Sequence, residues 1–101
     1  MSLKKQYLKK NQICKVTFSL PKEAAGAAKK VSLVGDFNQW NKEALPMRRL
    51  KNGTFTATIT LEPNKEYHFR YCTDGERWEN DWNADQYVPN AHGSDDSVVV
   101  V

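Results

Sequence analysis

The side chains through which this chain of 101 residues could act on another molecule are two cysteines, two histidines, three tryptophans and 12 carboxylates, and their spacing decides between chemistries. Glycoside hydrolysis needs two carboxylates held across the scissile bond. Here Asp36 and Asp74 stand in turns, where the expected partner is their own turn backbone, and Asp81, Asp85, Asp95 and Asp96 crowd one irregular stretch without the spacing of an EF-hand. No Ser-His-Asp or Cys-His order suggests a nucleophile. Cys14 and Cys72 form no C-x-x-C pair, and each lies in a strand-like run, so they read as reduced thiols rather than a disulfide. His68 and His92 lack partners at zinc spacing. The expectation is a non-catalytic chain with no metal and no cofactor.

Aromatic stacking is the chemistry that the remaining residues fit. Trp40 closes "VSLVGDFNQW" at the tip of a polar turn, and Trp78 follows the "DG" turn at 74 and 75. Either indole alone suits the edge of a core. Together, with Arg70 on an outward strand face, they make a candidate surface platform. An indole offers a flat apolar face, and a glucose ring offers a patch of C–H groups ringed by hydroxyls, so the two stack while polar neighbours bond the edge. Single-stranded nucleic acid also stacks on aromatics but requires a basic groove.

The elements that must position these residues read as short strands joined by turns. In "ICKVTFSL" (13–20), Cys14, Val16, Phe18 and Leu20 alternate with Lys15, Thr17 and Ser19, the period of a half-buried strand. Pro21 ends it, and "KEAAGAAKK" reads as a loop or weak helical turn interrupted by Gly26. A second strand is expected at 31–35. The "NG" at 52 and 53 predicts a hairpin, and 54–61 alternates without error, Phe55, Ala57, Ile59 and Leu61 facing the core against four threonines. In "YHFRYCT", Tyr67, Phe69 and Tyr71 share the inward phase, which turns Arg70 outward. The last strand is "SVVVV" (97–101), and the polar stretch between Trp78 and it reads as irregular. Such strands at regular spacing indicate an all-β sandwich.

Residues 1–30 hold eight lysines and one glutamate, whereas 31–101 carry seven basic and eleven acidic side chains. A basic arm on a mildly acidic body argues against a nucleic-acid surface. "LKKQYLKK" reads as a solvated arm or short helical turn with Leu3 and Tyr7 on one side, so the expected organisation is an arm at 1–12 and one domain at 13–101. The longest apolar runs are far too short to span a membrane, and the basic N-terminus lacks the apolar region of a secretory signal. A cytoplasmic protein is expected, without a membrane partner.

"VSLVGDFNQWN", followed by "LPMRRLKNGTFTATITLEPNKEYHFRYCTDGERW" and a closing "SVVVV", resembles the immunoglobulin-like early-set module that precedes the catalytic barrel of isoamylases and glycogen branching enzymes. It is similar also to the glycogen-binding domain of the AMP-activated protein kinase β subunit, within carbohydrate-binding module family 48. The resemblance covers 13–101 and rests on the G-[DS]-F-N-x-W signature together with the later strand-DG-x-W pattern. It implies that Trp40 and Trp78 stack on glucose units and that Arg70, where the kinase subunit has lysine, bonds glucose hydroxyls. An asparagine before the last strand of the kinase subunit bonds the sugar, and Ser97 stands at the matching position here. The leucine that its loop places against the sugar falls at His92 or its neighbours. The resemblance thus implies a non-catalytic module for α-1,4-glucan, glycogen-like or starch-like, the catalytic barrel being absent. The alternative is an interaction or scaffold module that docks a glucan-metabolising enzyme without strong sugar binding.

Overall fold

The structure is a computed structural model that describes residues 3–8, 12–91 and 93–101. Two antiparallel sheets face each other. In the first, strands β1 (Leu3–Leu8), β2 (Ile13–Leu20), β4 (Arg48–Arg49) and β5 (Phe55–Leu61) lie in the order β1-β2-β5-β4. The second runs β3-β6-β9-β8, built from β3 (Val31–Gly35), β6 (Glu66–Thr73), β8 (Gln86–Pro89) and β9 (Asp95–Val100). Strand β7 (Arg77–Glu79) also pairs with β6. Because β3 occupies one edge of β6 at Phe69–Thr73, β7 and β9 follow one another along its other edge.

The alternating patterns set the core. Val16, Phe18 and Leu20 from β2 meet Leu33, Phe69, Tyr71 and Val99 from the second sheet, all without solvent exposure. Phe18 and Phe69 contact edge to face at 4.9 Å, and Phe69 meets Tyr71 in the same manner at 5.7 Å. Such offset aromatic pairs are worth roughly 0.5–1.5 kcal/mol beyond the area they bury. At Gly35 there is no room for a side chain between β3 and β6. A Cβ there would stand 2.5 Å from the His68 carbonyl oxygen and 2.8 Å from the Phe69 Cβ, so no larger residue fits without moving the strands.

The "NG" hairpin forms as expected: Leu50 N–H donates to the Thr54 carbonyl at 2.7 Å, with Gly53 at a φ of 90°. "KEAA" makes one short helix, α1 (Lys22–Ala25), which stops at Gly26. Residues 3–8 differ from the sequence expectation. They are neither a solvated arm nor a helical turn but strand β1, paired along β2 from Leu3 opposite Phe18 to Leu8 opposite Ile13, so the sandwich begins at Leu3 rather than at Ile13. Leu3 is buried in the core. The inward position between Leu3 and Tyr7 is occupied by Lys5, whose ammonium meets Asp85 at 2.6 Å, and this lysine hides the alternation. The stretch read as irregular after Trp78 contains β7's last residue and β8, which returns along β9.

Candidate functional site

The outward face of β6 carries the platform. Phe69 and Tyr71 point into the core, so His68, Arg70 and Cys72 point to the other side, as the period-two reading expects. Cys72 pairs with Trp78 of β7, which puts that indole on the same outward face, 40% exposed. Burial pushes the Cys72 thiol above its usual range, against the opposing effects of the Lys42 charge and a hydrogen bond to the Gly75 backbone.

Trp40 arrives from β3 through a tight turn. After Gly35, residues Asp36–Asn38 form one 3-10 turn, and Gln39 and Trp40 both adopt a φ of 58°. The Asn38 side chain holds this reversal, accepting from Gly35 N–H at 3.0 Å and donating to the Leu33 carbonyl at 2.9 Å. Trp40 N–H closes it on the Gly35 carbonyl at 2.9 Å. Two consecutive left-handed non-glycine residues are costly, and these contacts hold them in place. Asp36 then fixes the side chain. One carboxylate oxygen accepts from the Trp40 Nε1–H at 3.0 Å and the other from the His68 backbone N–H at 2.7 Å. Asp36 was expected to bond its own turn backbone. Its carboxylate instead ties the indole to β6. Asp74, expected to behave likewise, accepts from the backbone N–H groups of Lys30 and Lys29, which hold its carboxyl below the usual range.

The two indoles stand 6.4 Å apart between ring centroids, tilted by 56°, with the Lys42 ammonium 5.5 Å from the Trp78 ring centre. They form one wall of a cleft of about 600 Å³ that Arg70, Asp36, Asn90 and Asp96 complete. The Arg70 guanidinium donates to the Ser94 hydroxyl at 2.7 Å and to the Asp95 carbonyl, and lies 3.5 Å from the Asp96 carboxylate. Among the described residues its Nη1 has no hydrogen-bond partner, which leaves donors for a ligand. Asp96 also accepts from Asn90 at 3.0 Å and faces His68 Nδ1 at 3.3 Å.

Trp40, Arg70 and Trp78 therefore come together, and Ser97 does not join them. It pairs with Phe69, whose side chain is in the core, so Ser97 is on the inward face and fully buried. Its hydroxyl donates to Asn80 at 2.8 Å and accepts from the Asp81 N–H at 2.9 Å. A shift of one residue along a strand exchanges the faces, and it is Asp96 that reaches the cleft. His92 lies outside the described residues, while its neighbour Ala91 lines the cleft. Among the described residues no three His, Cys, Asp or Glu side chains cluster as metal ligands would.

Sequence-family comparison matches residues 11–88 to carbohydrate-binding module 48, the isoamylase N-terminal domain. The chain belongs to this family. No curated protein sequence matches it. The segment that matches carbohydrate-binding module 48 includes Trp40, Arg70 and Trp78 and ends before Asn90 and Asp96. The family is one of carbohydrate-binding modules, and the sandwich is its immunoglobulin-like architecture. No helix among the described residues is long and apolar enough to cross a membrane.

Sequence reasoning missed Asp36, Asn90 and Asp96 as parts of this cleft. Asp36 had a local signal, since it lies four residues before Trp40 in a turn that brings side chain and indole together. Asn90 and Asp96 had none, because the β8–β9 hairpin that delivers them follows no hydrophobic alternation.

Proposed function

We propose that this module binds α-1,4-glucan, glycogen-like or starch-like, without catalysis, through Trp40, Trp78 and Arg70. The observation that carries the reading is the tilted indole pair at the mouth of a cleft whose other wall is polar. Two flat apolar faces inclined to each other suit consecutive rings of a curved chain better than one planar ring, and α-1,4 linkage curves a glucan. Hydroxyls at the ring edges then meet the Arg70 guanidinium, the Asn90 amide and the Asp96 carboxylate, which between them offer donors and acceptors. The tryptophans need no rearrangement before binding, since Asp36 and the β6–β7 pairing already hold them.

Affinity electrophoresis through gels containing glycogen, amylopectin or an unrelated polysaccharide tests this reading. The wild type is expected to be retarded by the α-glucans alone, and a folded Trp40→Ala, Trp78→Ala variant is expected to lose roughly tenfold or more in affinity. Equal mobility in all gels would reject sugar binding and favour the use of the same patch for docking a glucan-metabolising enzyme.

A further inference from the structure

Trp82 plays no part in the cleft or the core, yet it is the most exposed of the three tryptophans at 53%. It is also firmly placed. Asp81, immediately before it, is buried: its carboxylate accepts from the Tyr71 hydroxyl at 2.6 Å and from Asn83 N–H at 2.8 Å, and its N–H bonds Ser97. The Asp81 carbonyl accepts from the Tyr87 hydroxyl, which in turn accepts from Ala84 N–H at 3.1 Å. The Trp82 Nε1–H donates to Glu79 at 3.3 Å, so the protein satisfies the polar end of the indole and leaves its apolar surface in water.

The position of that indole relative to the cleft follows from register. Trp78 pairs with Cys72 and is on the outward face of β7, whereas Glu79 pairs with Tyr71 and belongs to the inward phase. Trp82, bonded to Glu79, therefore stands round the edge of β7 from Trp78. Four residues of chain place their Cα atoms at most about 14 Å apart. The next residue, Asn83, lines with Leu3, Lys4, Lys5 and Asp85 a groove of about 520 Å³ between β1 and the loop. Tyr87, 46% exposed, emerges from the same loop region on β8. An open aromatic face with the Glu79 carboxylate at its nitrogen and the Asn83 amide next in the chain repeats part of the chemistry of the cleft.

We propose that Trp82 is a second stacking site for α-glucan, engaged by the part of a long chain that leaves the Trp40–Trp78 cleft and passes round the edge of β7. The proposal rests on the glucan reading of the cleft. A second contact on one polymer raises affinity through effective concentration and leaves short ligands unaffected.

The test compares maltotriose and amylopectin as ligands for the wild type, Trp82→Ala, Trp82→Phe and the Trp40→Ala, Trp78→Ala variant. Trp82→Ala is expected to keep its maltotriose affinity within about twofold and to lose roughly three- to tenfold in affinity for amylopectin. Trp82→Phe keeps a stacking face and is expected to recover most of that loss. Unchanged amylopectin binding by Trp82→Ala, alongside its loss in the Trp40→Ala, Trp78→Ala variant, would overturn the second site and leave the cleft reading standing. An equal fall for both ligands would also overturn it, since Trp82 would then act through the cleft itself. Full amylopectin binding by the Trp40→Ala, Trp78→Ala variant would reject the cleft reading, and the passage of a chain from that cleft to Trp82 with it.

Discussion

The Trp40 indole is held at its nitrogen by a carboxylate that simultaneously bonds the backbone of β6, so Asp36 sets the angle between Trp40 and Trp78. Asp36→Ala removes both acceptors. Each hydrogen bond contributes about 1 kcal/mol net, a loss the fold can sustain, whereas the indole loses its fixed orientation. The expected outcome is a folded variant with an altered near-ultraviolet circular dichroism spectrum and weaker retardation by amylopectin, Asp36→Asn falling between it and the wild type. An unchanged spectrum and unchanged retardation would show that the turn backbone alone positions Trp40. Arg70 has two tasks at this scale, since the guanidinium that faces the cleft also holds the Ser94–Asp96 segment. Trp40, Trp78 and Arg70 were legible in the sequence because a turn signature and the alternation of Tyr67, Phe69 and Tyr71 fix their sides. Ser97 was not. A run of four valines contains no alternation, so its phase comes only from pairing with β6, and that pairing turns Ser97 inward and Asp96 outward.

Strands announced by clean alternation, β2, β5 and β6, are where the sequence places them, β3 and β9 are announced by apolar runs, and β1, β7 and β8, which have neither signal, are the ones it hid. β7 is three residues long, β8 is a short edge strand ending in proline, and β1 has Lys5 at the position where alternation demands an apolar residue. Lys5 is compatible with that position because it lies at the sheet margin and reaches Asp85, whose carboxylate also accepts from Val100 N–H at 2.7 Å. β1 thus joins the two sheets as well as covering the edge of β2. Leu3 is its anchor in the core, and Leu3→Ala is expected to destabilise by about 2–3 kcal/mol, the low end for a buried leucine because the strand can shift at the margin. For a domain of this size that lowers the melting temperature by roughly 10 °C. Tyr7→Ala, at an exposed position of the same strand, is expected to change it little. Equal, small effects of both would mean that β1 adds nothing to the stability of the sandwich.

Across the whole molecule the charges separate by sheet. The four strands of the first sheet contain Lys4, Lys5, Lys15, Arg48 and Arg49 and no carboxylate, while the carboxylates of Asp36 and Asp96 stand in the cleft on the second sheet beside Arg70. Of the eight lysines in the first 30 residues, Lys4, Lys5 and Lys15 therefore stand on the first sheet and not among the residues that line the cleft. A polyanion approaching the indoles would meet the carboxylates of Asp36 and Asp96 as well as Arg70 and Lys42, with no excess of positive charge, whereas a neutral polysaccharide meets a nearly balanced set of donors and acceptors. Stacking and hydrogen bonding to an uncharged ligand release no condensed counterions, unlike contacts to phosphates, whose binding weakens by orders of magnitude with added salt. Amylopectin affinity is thus expected to change by less than about twofold between 50 and 500 mM sodium chloride in gels or titration. A steep fall with salt would show that the ligand is held by charge, and would move the binding surface from the tryptophan cleft to the lysine- and arginine-bearing sheet.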